Sequence, residues 1–285
     1  MTREATNCTT ATNYALEGEI KDQPSVQAIP GPEGELGPFL ELIPDRFTTV
    51  PEVILTKTHC KGFCSGRSCG PDRTVHTVRS FMTGCLTGSR AIETDDGVEK
   101  IGVTYKPERV KKAIHIFRHP LDNIVARFHL EFAVQGSRGN DDFTKLFPRN
   151  STGFQRWCAL ENLNRDLLES RFIDSRLRLK MRESTCFNEF YRYVQWHNLA
   201  FSVSQDMGIP TMLLHYQEYS EDFEGTRDRI LEFLELTRVG EGIEFHSGKE
   251  YRHYYTPQQK SSIYALLEEL SSANTWGQIK DYDFE

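Results

Sequence analysis

The fold of this 285-residue chain is decided by residues 113–132, which read AIHIFRHPLDNIVARFHLEF. The apolar run Ala113–Phe117 predicts a short buried strand. A helix is predicted over Pro120–Phe132, because Ile124 and Phe128 recur at helical spacing and proline is well placed in a first turn. The stretch therefore predicts a strand, a tight turn and a helix.

The turn between that strand and helix is a candidate anion site. A helix N-terminus at the carboxyl end of a parallel strand favours negative charge, because its free N–H groups and its dipole both point there. Arg118 adds a planar, bidentate donor for phosphate. Residues 106–127 carry six basic and two acidic side chains in a chain of net charge −7. An ordinary turn with an exposed arginine is the alternative interpretation.

The rest of the chain repeats the pattern of short apolar strands separated by helices. Val53–Leu55 and Thr211–Tyr216 are predicted strands, and Phe223–Leu236 is a predicted amphipathic helix. Such an alternation favours an α/β fold with a central parallel sheet covered on both faces. No shift in composition divides the chain, so one domain over residues 1–285 is predicted, with residues 60–105 as a cysteine-containing insertion or long loop.

Residues 113–129 resemble the strand, Arg-x-Pro-x-Asp turn and helix of the sulfotransferase family. In that family the arginine holds the 3′-phosphate of 3′-phosphoadenosine 5′-phosphosulfate (PAPS), and Arg118 stands at the matching position. The family often has a second phosphate contact, a serine, eight residues later, where this chain has Ala126. The resemblance implies a P-loop-like, three-layer α/β fold with PAPS as co-substrate and no metal.

Residues 53–59 resemble a second family element, a strand that ends in Lys-Thr-His. The resemblance implies that His59 is the general base that accepts a proton from the acceptor hydroxyl, a role that suits neutral imidazole. It also implies that Lys57 stabilises charge on the transferring sulfonate. A polar strand end with a loop-capping histidine is the alternative.

The C-terminal half resembles the family in the same order. Residues 210–236 are similar to its strand ending in Tyr-Glu and the helix that follows, which implies that Tyr216 faces the nucleotide. Residues 248–257 resemble its basic cofactor-covering loop, with Lys249 and Arg252 as the candidate ligands. A core or edge tyrosine and a solvated basic loop are the alternatives. The resemblance is closest to the membrane-anchored, Golgi-type branch.

One family element has no counterpart in the sequence. The glycine-bearing 5′-phosphosulfate loop belongs several dozen residues before Lys-Thr-His, and no such loop precedes Lys57. The chain is therefore expected to be an N-terminally incomplete sulfotransferase that transfers a sulfonate group to an acceptor hydroxyl, with a carbohydrate as the candidate acceptor. A non-catalytic relative that keeps the acceptor groove is the alternative. A nucleotide-kinase-like protein is a third, but it requires a Gly-Lys-Ser/Thr loop that the chain lacks.

Four of the seven cysteines cluster in the predicted insertion, at Cys60, Cys64, Cys69 and Cys85. Disulfides that order the insertion, a zinc site and free thiols are three interpretations, and the lack of a paired Cys-x2-Cys spacing weighs against zinc. Cys158 and Cys186 are predicted core residues. With glycosylation sequons at Asn7 and Asn150, the cysteine cluster favours a glycoprotein of the Golgi lumen or secretory pathway.

Charge and hydropathy limit the partners. The net charge of −7 argues against general nucleic-acid binding. The sequence has neither an apolar run of about 18 residues nor a signal peptide at its start, so a membrane contact is expected only through a missing N-terminal anchor. An acceptor glycan or a small hydroxyl substrate is the expected partner. The arginine-rich stretch Arg171–Arg182 is interpreted either as a surface for an acidic glycan or as a solvated helix face.

Overall fold

The structure is a computed structural model. It describes residues 5–6, 8–12, 28–30, 36–41, 53–58, 60, 77–94, 97–169, 173–242 and 249–285. The chain divides into two compact units, the first of Met1–Ala113, Asp206–Met212 and Glu221–His246, the second of Ile114–Gln205, Leu213–Ser220 and Ser247–Glu285. One domain over residues 1–285 stays a prediction.

The described residues contain both strands and helices. The strands are β1 (Thr9–Thr12), β2 (Ala28–Pro30), β3 (Leu36–Glu41), β4 (Ile54–Lys57), β5 (Thr87–Thr94), β6 (Gly97–Thr104), β7 (Ala113–Phe117) and β8 (Thr211–His215). The helices are α1 (Val78–Leu86), α2 (Pro120–Ser137), α3 (Asp141–Leu146), α4 (Ser151–Glu169), α5 (Ser175–Met181), α6 (Phe187–Asp206), α7 (Glu218–Glu221), α8 (Phe223–Leu234), α9 (Pro257–Leu270) and α10 (Ala273–Ile279). Short 3₁₀ turns occupy Pro107–Arg109 and Arg252–Tyr254.

A four-stranded mixed sheet in the first unit has the order β2-β3-β1-β4. Strands β1 and β4 run parallel, with Thr9 opposite Ile54, whereas β3 is antiparallel to both β1 and β2. Strand β2 ends in Pro30 and lies at the edge of the sheet, where a residue without an N–H group is tolerated. Lys57 is the last residue of β4 and lies opposite Thr12 of β1.

The segment predicted as a long loop between residues 60 and 105 contains regular structure. Helix α1 begins with a capping box formed by Thr77 and Ser80. Strands β5 and β6 then form an antiparallel hairpin with Thr87 opposite Thr104. The many threonine, valine and isoleucine residues favour strands, and Asp96-Gly97 is a hairpin-turn signal, so the glycine and cysteine content alone was misleading.

Strands β7 and β8 form a parallel pair; their residues 114–117 and 213–215 belong to the second unit, and Ala113, Thr211 and Met212 belong to the first. The direction follows from two backbone hydrogen bonds at opposite ends of the pair: Ala113 N–H donates to Pro210 O, and Tyr216 N–H donates to Phe117 O. The hydrophobic core is built from α2, α4, α6 and α9, and its fully buried members include Leu121, Phe128, Phe154, Phe190 and Ile263. The prediction of an α/β chain that contains parallel strand pairs is therefore confirmed.

The predicted strand–turn–helix is present in the structure. Strand β7 has its predicted bounds, and its buried residues His115 and Phe117 alternate with the exposed Ile116. Helix α2 begins at Pro120 as predicted but continues to Ser137, five residues further. Helix α3 forms in the polar stretch that follows, where Asn140 accepts the N–H of Phe143 as an N-cap.

Two disulfides occur among the described cysteines, which confirms the prediction that the chain forms disulfides. Cys60 is bonded to Cys85 of α1, which rules out both as zinc-ligating thiolates; Cys64 and Cys69 lie outside the described residues. Cys158 and Cys186 are buried as predicted, and they are also bonded to each other, which was not predicted. Disulfides are typical of secreted or lumenal proteins. Among the described helices, none is long and apolar enough to cross a bilayer.

Removing the buried Cys158–Cys186 disulfide is expected to lower the free energy of unfolding by about 2 to 3 kcal/mol. The two cysteines are 28 residues apart, so the bond restricts the unfolded chain considerably. Urea unfolding of the Cys158→Ala/Cys186→Ala variant measures the loss. Cys8→Ser is the control, because Cys8 is a half-exposed free thiol. Equal stability of the double variant and the parent protein would contradict the prediction.

Candidate functional site

The candidate site in the second unit lies where β7 and β8 end. Both strands run in the same direction, and the hydrogen bond from Tyr216 N–H to Phe117 O (2.7 Å) joins the residues at their carboxyl ends. Arg118 is the first residue after β7, and Tyr216 is the first after β8. The carboxyl edge of parallel strands is where α/β proteins place ligands.

Two residues predicted to bind the cofactor contact each other at this edge. The guanidinium carbon of Arg118 lies 4.8 Å from the centre of the Tyr216 ring, a cation–π distance. Tyr193 of α6 donates its hydroxyl to the Arg118 carbonyl oxygen at 2.8 Å. Burial raises the pKa of Tyr193 well above its ordinary value, so this hydroxyl stays a donor. The backbone and the guanidinium plane of Arg118 are therefore both positioned.

His119 caps the N-terminus of helix α2. Its Nδ1 accepts the backbone N–H of Leu121 at 3.2 Å. The ring proton must then reside on Nε2, which lies 2.8 Å from the Asp283 carbonyl oxygen and donates to it. Burial lowers the pKa of His119, while the Asp283 carbonyl and the Asp122 carboxylate oppose the shift. One of the helix's first N–H groups is thus already paired by a side chain.

The C-terminal residues cover this helix end. The rings of Tyr282 and Phe284 lie 5.0 and 5.1 Å from the His119 ring. The buried Asp122, in the first turn of α2, accepts the Tyr251 N–H at 2.6 Å. An acidic side chain in the first turn complements the helix dipole. The remaining anion-binding capacity of the site therefore depends chiefly on Arg118.

The predicted cofactor-covering residues Lys249 and Arg252 differ in their surroundings. Arg252 pairs with the carboxylates of Glu250 (3.2 Å) and Asp283, so its charge is compensated. Lys249 is exposed, and it has no ion pair among the residues that the structure describes. Of the four predicted cofactor ligands, the structure thus brings Arg118 and Tyr216 into contact, while Arg252 is held by its own acidic neighbours.

The predicted catalytic residues belong to the first unit. Lys57 is the last residue of β4, and its side chain is exposed. His59 lies outside the described residues. Cys60, directly after it, is buried, donates its N–H to Thr58 Oγ1 at 3.1 Å and forms the disulfide with Cys85. The disulfide thus anchors the chain at the residue that follows the Lys-Thr-His sequence.

The sequence reasoning did not identify His119, Tyr193 or Asp283 as parts of this site. Helix caps are usually Ser, Thr, Asp or Asn, so the histidine before Pro120 gave no capping signal. Asp283 lies 164 residues from His119 in the chain, and Tyr193 lies 75 residues from Arg118.

The described residues contain no cluster of three or more histidine, cysteine or acidic side chains arranged to hold a metal.

Comparisons of the chain with protein-family models, with curated proteins and with solved structures find no match.

Proposed function

We propose that the chain binds the adenosine 3′,5′-bisphosphate part of PAPS and transfers its sulfonate group to an acceptor hydroxyl, with a carbohydrate of the Golgi lumen as the candidate acceptor. The observation that carries this proposal is the contact of Arg118 with Tyr216 at the carboxyl ends of two parallel strands. A guanidinium held against an aromatic ring keeps its N–H edge available for a phosphate. Tyr216 is itself partly exposed.

The transfer step of the proposal rests on the Lys57-Thr58-His59 sequence. His59 takes the proton from the acceptor hydroxyl as its oxygen bonds to sulfur, while the bond from sulfur to the bridging phosphate oxygen breaks. Lys57 offsets the negative charge on the transferring group. The products are a sulfate ester and adenosine 3′,5′-bisphosphate. The fold proposed with this activity is the three-layer, P-loop-like sulfotransferase type.

Replacing Arg118 with alanine is expected to weaken the binding of adenosine 3′,5′-bisphosphate by about 10- to 100-fold, because a charge-assisted contact to phosphate is lost. Isothermal titration calorimetry measures the dissociation constant. Arg138→Ala is the matched control, since it removes an equal charge from an exposed residue at the C-terminal end of α2. Equal affinity of both variants, or no binding by the parent protein, would overturn the cofactor assignment.

A non-catalytic binding protein is the second candidate, and the ion pairs of Arg252 favour it. An arginine already paired with Glu250 and Asp283 has less capacity to close over a cofactor. Transfer of labelled sulfonate from PAPS to glycan acceptors separates the two candidates. Transfer that is lost in His59→Ala supports the enzyme, whereas bisphosphate binding without any transfer supports the binding protein.

A further inference from the structure

We propose that a second surface of the second unit, built around His129 and Phe132 of α2, binds an acidic oligosaccharide. We call this surface the basic patch; it consists of His129, Phe132, Arg149, Lys249, Tyr251 and His253. The proposal stands whether or not the chain binds PAPS, because no member of the patch except Lys249 was assigned to the cofactor.

Tyr254 connects the parts of the basic patch. Its hydroxyl lies 3.0 Å from His129 Nε2 and donates to the Arg149 carbonyl oxygen at 3.4 Å. The His253 ring lies 4.8 Å from the Tyr254 ring, and the Tyr251 ring meets His129 edge-on at 4.8 Å. These contacts hold the loop before α4 and the segment before α9 against α2.

The two cations of the basic patch, Arg149 and Lys249, have no acidic partner in the part of the chain that the structure describes. Among the described residues, neither Arg149 nor Lys249 forms an ion pair, and both are exposed. Of the acidic side chains that neighbour the patch in sequence, Glu250 pairs with Arg252, and Glu131 accepts from the neutral Gln135 and forms no ion pair with the patch among the described residues. The patch therefore keeps its positive charge although the whole chain carries −7.

The charges of Arg149 and Lys249 both lie close enough to His129 to act on it. Burial lowers the pKa of His129, and the neighbouring Arg149, Lys249 and His253 lower it further. His129 Nδ1 is buried without a hydrogen-bond partner among the described residues. His129 is thus a neutral, partly buried member of the basic patch, and its neighbours supply the positive charge.

Aromatic rings beside the charges favour a saccharide over a simple anion. Arg149 lies over the Phe132 ring at 5.9 Å, and both Phe132 and Tyr251 are partly exposed. A sugar ring can pack its C–H face on such a ring while its sulfate or carboxylate group meets a cation. Exposed cations each contribute little, so an extended ligand that meets several of them at once fits this open surface.

The test is the binding of a sulfated heparin hexasaccharide by calorimetry, with protein produced in bacteria so that no glycan is attached at Asn150, beside Arg149. The Arg149→Ser/Lys249→Ser variant is expected to bind at least about tenfold more weakly than the parent protein. The control is Lys111→Ser/Arg138→Ser, which removes two charges from exposed positions outside the patch and is expected to change the affinity less than about twofold.

Three results would overturn the proposal. Equal losses in the two double variants would show a general charge effect. Displacement of the hexasaccharide by adenosine 3′,5′-bisphosphate would assign the patch to the nucleotide. Patch-dependent binding to vesicles that contain phosphatidylserine, without binding to the hexasaccharide, would make a membrane the occupant. Failure of Arg118→Ala to lose the bisphosphate bears only on the proposed function and leaves the basic patch untouched.

Discussion

Replacing Glu189 with glutamine is expected to lower the free energy of unfolding by about 4 kcal/mol, the largest loss expected from any single substitution considered for this chain. Glu189 lies in the first turn of α6, and its side chain is 1% exposed. One carboxylate oxygen accepts from Arg127 Nε at 2.6 Å, and the other accepts from Arg192 Nη1 at 2.9 Å. Arg192 is itself only 4% exposed, so glutamine would remove one carboxylate partner from a buried positive charge.

The two arginines supply an internal comparison for that prediction. Arg127 is 43% exposed, and Arg127→Gln is expected to cost no more than about 1 kcal/mol, because its own charge is partly solvated and the Glu189 carboxylate keeps Arg192 as a partner. The Glu189→Gln/Arg192→Met variant is expected to be more stable than Glu189→Gln alone, since it removes the buried positive charge along with the carboxylate that pairs with it. Urea unfolding measures all three variants. Equal losses for Glu189→Gln and Arg127→Gln would contradict the argument.

The strand–turn–helix of residues 113–137 was predictable because its signals are local. Proline in the first turn and apolar residues at helical spacing identify α2, and the apolar run identifies β7. Arg118 could be placed for the same reason, since it lies between two elements that the sequence locates. The extension of α2 beyond Phe132 was not predicted, because its last turns are mostly polar or exposed.

Strand β3 illustrates what the sequence could not show. Residues 36–41 contain Gly37 and Pro38, which argue against a strand inside a sheet. The structure accommodates them opposite β2, where the pairing register shifts between Ala28 and Pro30. A proline in a strand is tolerated at such an irregularity, and that irregularity depends on the partner strand rather than on the local sequence.

The candidate site and the basic patch were only partly predictable for a related reason. Arg118 and Tyr216 were identified separately, but their contact depends on the parallel pairing of β7 with β8. The basic patch unites the turn near Arg149 with Tyr254, which lies 105 residues later in the chain. The sequence did not distinguish Arg149 from other exposed arginines. It also did not show that Arg252 forms ion pairs while Lys249 forms none with the described residues, since ion pairs are formed by tertiary packing.

Lowering the pH from 6.5 to 4 is expected to reduce the free energy of unfolding by more than 3 kcal/mol through two buried histidines. His115 of β7 and His197 of α6 share a hydrogen bond of 2.7 Å between Nε2 and Nδ1. Burial lowers the pKa of His115 to about 4 and that of His197 well below its ordinary value of 6.5. The unfolded chain therefore takes up protons below pH 6.5 that the folded chain does not, and stability falls.

The groups around this histidine pair explain why neither ring is readily charged. His115 packs against Phe117 and Phe201, and the Tyr193 ring lies 4.4 Å from the His197 ring. Among the described residues, the charge that acts on the pair from outside it is that of His215 of β8, which lowers the pKa of His197. Among the described residues no carboxylate stabilises the charged form, and His115 alone accounts for about 2.5 kcal/mol between pH 6.5 and 4.

Unfolding by urea at several pH values tests this prediction. Between pH 6.5 and 5 the loss reports mainly on histidines, because the carboxyl groups of the folded chain with lowered pKa values, such as Asp228, Glu235 and Asp283, act only near and below pH 4.5. Other buried histidines contribute as well, since burial also lowers the pKa of His119.

The decisive comparison is therefore with His115→Phe, which suits the aromatic surroundings. This variant is expected to reduce the slope of unfolding free energy against pH by about one proton. Added salt should change the slope little, because burial rather than screened surface charge causes the shift. A parent protein whose stability is constant from pH 6.5 to 5, or a variant with an unchanged slope, would show that the histidine pair is not buried in its neutral form.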